Sequence, residues 1–235
     1  MSAVIALLAV AVALPDRNSL TTFDETNAAV RAYQLRSLTQ FGSWSVEQVL
    51  CQRKPHTPTL GLSADPNLRP YPTTSPGVVT WSWPAYQVIW RIFDGKPPFH
   101  LTLNLLALSC VCLPLFLMVV FLARRWAQSA GPEAACFALI AAVAASPIYT
   151  FAGLFQDYVL ATTLMMTGYL LATRPRAGAP SWVLSGLALS GSGAVNYLFF
   201  ALLVAVVGFE WLRRRHKRLD PGRFLLFTTL GAMGP

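Results

Sequence analysis

Long apolar runs, each closed by a knot of arginine, constrain this chain more than any other feature. Residues 99–123 form an oily stretch that ends at Arg124 and Arg125. Residues 134–151 follow, then residues 157–172, which lead to Arg174 and Arg176. Residues 181–212 run into the basic cluster Arg213-Arg214-Arg215-His216-Lys217-Arg218. A hydrocarbon core of about 30 Å is crossed by roughly 20 apolar residues in a helix. Only 12% of the chain is charged and 54% is hydrophobic, whereas a soluble domain carries about 25% charged residues. The expected class is therefore an integral membrane protein. The net charge of +8 does not point to nucleic acid, because the cations lie between apolar runs, where the positive-inside rule places them.

The expected fold is all-α, a polytopic membrane bundle with a large extracytoplasmic first loop carrying juxtamembrane helices. Residues 1–14 read as a first transmembrane helix, 15–98 as the outer loop, and 99–235 as the bundle. Spans are expected near 99–123, 134–151, 157–172, 181–195, 196–212 and, incomplete, 224–235. Residues 181–212 are divided because one helix of that length would reach about 48 Å, more than the bilayer core needs. Gly191-Ser192-Gly193 and Asn196 mark the break. With that division all the arginine clusters share one side and the polar stretch faces the other. Multi-pass insertion in a bacterial inner or plasma membrane follows, with membrane lipids as neighbours.

Residues 3–14 have the length of a signal-peptide core, but Met1-Ser2 offers no basic start and Ala13-Leu14-Pro15 is a poor cleavage site. A short first span is preferred. Cys110, Cys112 and Cys136 lie in apolar runs and Cys51 in the polar one, with no redox or zinc spacing. In the outer loop, residues 20–40 read as a helix with a weak apolar side (Ala28, Ala29, Ala32, Tyr33, Leu35) and a basic side of Arg31 and Arg36. Residues 44–50 suggest a second short helix. Six prolines from Pro55 to Pro76 predict an irregular loop. Residues 82–93 read as a helix capped by Ser82 with Pro84 in its first turn. Trp83, Tyr86, Trp90 and Phe93 fall on one face, suiting the membrane boundary or the wall of a lipid groove.

The candidate chemistry is carboxylate chemistry. Asp24 and Glu25 sit where the polar segment leaves the first span, and Asp157 opens a later one on the same expected side. Such a trio could act as general base toward a hydroxyl or hold a divalent metal through oxygen ligands. Each acid also has a structural reading. Thr22 to Glu25 fits a capping box, Asp24 suits a helix dipole, and Asp157 suits a helix start.

Phe23-Asp24-Glu25 in a large outer loop, Ser75-Pro76-Gly77 with Trp83-Pro84-Ala85-Tyr86, and Phe93-Asp94-Gly95 come in a telling order. Leu103-Asn104-Leu105-Leu106, Phe121-Leu122-Ala123-Arg124-Arg125, Ser146-Pro147 and Gln156-Asp157 continue it. Together they resemble the N-terminal part of the GT-C membrane glycosyltransferases, the superfamily of protein mannosyltransferases and lipid A aminoarabinose transferases. The resemblance implies a polyprenyl-phosphate sugar donor and a glycan, lipid or protein acceptor. It gives Asp24 the task of orienting or deprotonating the acceptor, Glu25 a supporting or metal-binding role, and Asp157 the second acidic position. The family's arginine early in the second span is missing, since His100 and Thr102 stand there. Arg91 and Lys96 are the positional candidates for the donor phosphate, with Trp83 and Tyr86 as walls. Family members are longer, so a non-catalytic scaffold or a fragment of that fold is the alternative expectation. A transporter or flippase ranks behind both, because no second half repeats the break near Asn196.

Overall fold

A computed structural model describes residues 27–51, 62–64, 70–72, 76–144, 157–174, 178–217 and 219–233. The protein is helical, and the only strands among the described residues are two of three residues each. The chain divides into two compact units, Met1–Gln156 and Asp157–Pro235.

In the first unit, α1 (Asn27–Phe41) and the short α2 (Glu47–Cys51) precede an antiparallel pair, β1 (Leu62–Ala64) and β2 (Pro70–Pro72). The proline-rich stretch thus contains a small hairpin that an all-irregular reading missed. Proline is tolerated in so short a pair because both strands are edges. In α1, Ala32, Tyr33 and Leu35 are buried, as the apolar side predicts. Arg31 departs from the expected basic side, for it is fully buried.

Helix α3 (Gly77–Ile92) starts five residues before its expected beginning. Ser82 does not cap it. The side chain is buried and its hydroxyl donates to the Val78 carbonyl at 2.6 Å. Pro84 stands inside the helix on its exposed side. The helix stops at a left-handed turn: Asp94 has φ 48° and Gly95 φ 76°. The Gly95 amide donates to the Trp90 carbonyl at 2.9 Å, and a Cβ at Gly95 would lie 3.3 Å from the Trp90 ring. Glycine is therefore favoured there by conformation, and an added Cβ would press on the ring.

The chain then turns back through α4 (Phe99–Leu106), a π-helical segment (Ala107–Cys112) and α5 (Leu113–Ala130). Leu101–Ala130 is the one helix among the described residues long and apolar enough to cross a membrane. It continues past Arg124 and Arg125 to Gly131, whose φ of 88° ends it. Helix α6 (Pro132–Ala144) is apolar but shorter.

The second unit is built from α7 (Asp157–Ala172), α8 (Ala179–Val195), α9 (Phe199–His216) and α10 (Pro221–Ala232). Helix α8 crosses its neighbours at small residues. A Cβ on Gly186 would stand 1.9 Å from the Thr228 carbonyl oxygen, and one on Gly231 2.0 Å from that of Val183. Backbones approach this closely only where a side chain is absent. Ser185 and Ser181 donate to the carbonyls of Gly168 and Leu171 at 2.8 and 2.9 Å, tying α8 to α7. The interruption between α8 and α9 falls at Asn196, whereas Gly191-Ser192-Gly193 remains inside α8. At the other end, buried Glu210 bonds Arg213 at 2.6 Å and Arg214 at 2.8 Å. Arg214 also donates to the Ala172 carbonyl at 2.8 Å and packs over Trp182 and Phe224.

Candidate anion-binding pocket

The site takes shape where α3 turns back into α4. Ala32, Tyr33 and Arg36 from α1, Tyr86 and Trp90 from α3, Gly95, Lys96 and Pro97 from the turn, and Phe99 and Thr102 from α4 line a cavity of about 210 Å³. Helical spacing brings them together: Tyr33 and Arg36 share a face of α1, and Tyr86 and Trp90 share one of α3. Tyr33 stacks on Phe99 with ring centroids 5.6 Å apart, and Tyr86 tilts against Trp90 at 6.0 Å. Behind them Val46 and Val49 close the core.

Among the described residues, two cations and no carboxylate line the cavity. Lys96 is exposed at the rim. Arg36 is half-buried and its Nε donates to Gln40 Oε1 at 3.2 Å. Burial pushes the Tyr86 hydroxyl up to about 12, partly offset by the Arg36 charge. Tyr86 therefore stays protonated at neutral pH, a hydrogen-bond donor rather than a base. The Thr102 hydroxyl is engaged by the Pro98 carbonyl at 2.7 Å. Chemically, the pocket can hold an anion against aromatic walls.

Of the residues expected at the substrate, Tyr86 and Lys96 line this cavity. Arg91 is exposed and outside the lining, and Trp83 instead donates from Nε1 to Thr39 Oγ1 at 3.2 Å. Asp24 and Glu25 lie outside the described residues. Asp157 belongs to the second unit, where it is buried and accepts from Asn196 Nδ2 at 3.1 Å. Asn196 Oδ1 in turn accepts from the Leu198 amide at 3.1 Å. Asp157 thus ties the start of α7 to the break between α8 and α9. No family model, curated protein or solved structure matches the chain.

Among the described residues, no three His, Cys, Asp or Glu side chains gather as a metal would require. Asp157, the described member of the expected trio, is engaged by the Asn196 amide. Sequence reasoning missed Arg36 as a pocket residue, because a basic residue on a loop helix reads as solvated. The signal lay in its spacing from Tyr33, which places a cation beside an aromatic ring one turn away. Glu210 was missed too. Its signal was an acid three and four residues ahead of two arginines.

Proposed function

We propose that this chain is a polytopic membrane protein that binds a polyprenyl-phosphate sugar at its outer face and transfers the sugar to an extracytoplasmic acceptor. The observation that carries the reading is the pocket: Arg36 and Lys96 beside Tyr33, Trp90 and Phe99, at the head of a helix fit to cross a bilayer. A lipid-linked sugar phosphate asks for that combination. Cations meet the phosphate, aromatic faces meet the sugar and the first isoprene units, and the adjoining helix borders the acyl chains. The Tyr86 hydroxyl, held neutral, donates toward an anionic oxygen. In this reading Asp24, with Glu25 in support, activates the acceptor hydroxyl. The arginine clusters at the ends of the apolar runs favour a multi-pass arrangement with those ends inside.

A non-catalytic scaffold of the same architecture is the second reading. The Asp157–Asn196 bond favours it, since a buried carboxylate bound by an amide serves as a structural tie. Both readings are tested in proteoliposomes with a radiolabelled polyprenyl-phosphate sugar. Transfer that falls in Asp24→Asn, with donor retention lost in Lys96→Ala and Arg36→Ala, supports the enzyme. Donor retention without turnover in the parent chain supports the scaffold. Retention equal in parent and both cation variants removes the pocket from either reading.

A further inference from the structure

Pro114 has no amide hydrogen, so the carbonyl four residues earlier, that of Cys110, loses its helical partner. Just ahead of it the chain is π-helical over Ala107–Cys112, with the Leu113 amide reaching back to the Leu108 carbonyl. The Cys110 carbonyl is met instead by a side chain 29 residues away: Trp81 Nε1 donates to it at 3.1 Å. An unmet carbonyl in hydrocarbon costs several kcal/mol, so this bond has most value if the contact lies below the headgroups.

Counting along the helix locates it. Arg124 sits about 21 Å from Cys110 at 1.5 Å per residue. With Arg124 at the inner edge of a core of about 30 Å, Cys110 lies roughly 9 Å beneath the outer edge. Phe99 then stands at headgroup level, together with the turn that carries Asp94 and Lys96. Helix α3 runs antiparallel to this segment. Its Ile92 end adjoins the turn, while Trp81 is level with Cys110.

The charges and the exposed side of α3 fit the same placement. Its single charged residue is Arg91, in the last turn. Trp81, Pro84, Val88 and Ile92 form one exposed apolar stripe along its whole length, with Trp81 46%, Val88 58% and Ile92 68% exposed. A helix lying flat on a membrane buries its apolar stripe on the membrane side and keeps charges along the other. The side of α3 opposite this stripe carries no such charges. Val78, Val79, Ser82, Tyr86 and Ile89 are packed against protein.

We propose that α3 is a re-entrant half-helix, inserted N-terminus first into the outer leaflet beside the Leu101–Ala130 span, with acyl chains covering Trp81 and Pro84 and lipid headgroups covering Val88 and Ile92. The placement rests on the membrane-spanning reading of that helix given above. It sets the Arg36–Lys96 pocket at the level of the lipid phosphates. Trp81 is the donor that lets the span keep Pro114 within the hydrocarbon.

The test uses spin labels on a cysteine-free full-length chain in lipid nanodiscs, placed at Thr80, Val88 and Ile92 on α3 and at Leu108 and Leu117 on the span. All five positions are exposed, so the labels fit without repacking. Accessibility to oxygen relative to a water-soluble nickel chelate reports depth. The ratio is expected to rise several-fold from Ile92 through Val88 to Thr80, with Thr80 matching Leu108. Equal ratios at the three α3 positions, with Leu108 and Leu117 lipid-embedded, overturn the half-helix and leave the span intact. Water accessibility at Leu108 and Leu117 overturns both.

Discussion

The crossing of α8 with α10 offers the sharpest test of how the second unit is held together. A methyl group on Gly186 would meet the Thr228 carbonyl oxygen at 1.9 Å, and one on Gly231 the Val183 carbonyl oxygen at 2.0 Å. Carbon and oxygen do not approach below about 3 Å, so either alanine forces the two helices about 1 Å apart. The obstacle in both cases is backbone, which cannot swing aside as a side chain would. Overpacking of this kind costs roughly 1–3 kcal/mol. Alanine otherwise helps a helix interior by about 1 kcal/mol over glycine. Gly208 supplies the control, for nothing lies within 4 Å of its missing Cβ. Gly208→Ala should therefore leave stability unchanged or raised, while Gly186→Ala and Gly231→Ala lower it. The double variant should cost less than the sum, because one separation relieves both contacts. Unfolding of detergent-solubilised protein, followed by tryptophan fluorescence with Trp182 as a reporter within the unit, measures all four. Equal stability of the three single variants would refute the close crossing. Strict additivity would refute the shared displacement.

Four further outcomes follow from the same contacts. Glu210→Ala leaves buried Arg214 without its carboxylate and should destabilise the protein by about 3–5 kcal/mol, read by the same unfolding assay. Asp157→Leu strips Asn196 Nδ2 of its acceptor and should cost about 1–3 kcal/mol; the parent's stability in this variant would dismiss the tie. Trp81→Phe should destabilise the protein and Pro114→Ala should restore much of the loss by returning an amide to the Cys110 carbonyl, which a double-mutant cycle reads directly. The Tyr86 phenol is held at about 12, above its usual value near 10, so the folded state keeps a proton that the unfolded state releases. Stability from this group is complete below about pH 10 and is lost as pH rises to about 12. Tyr86→Phe should flatten that part of a melting-temperature profile, and an unchanged slope would show that another group is responsible.

What the sequence revealed depended on how local the determining interaction was. The helices of the second unit were legible because apolar runs and arginines mark them, and Asn196 announced its own break. Helix α3 was misjudged by one turn and more because Ser82 and Pro84 together imitate a helix start. The decisive contact instead comes from Val78, whose carbonyl takes the Ser82 hydroxyl. Arg31 belongs to the expected basic side and is nonetheless buried, because a 3.6-residue pattern assigns sides without saying which side meets protein. The pocket was half legible for a related reason. Tyr86 and Lys96 could be guessed from their place near the turn, whereas Arg36 enters only once α1 folds against α3. Least visible is the bond from Trp81 to the Cys110 carbonyl. Neither residue carries a motif, yet Pro114 fixes which carbonyl must find a donor from elsewhere. A proline in an apolar run thus poses a question that the sequence states openly. Only the fold answers it, and the answer places Trp81 of α3 against the Leu101–Ala130 helix.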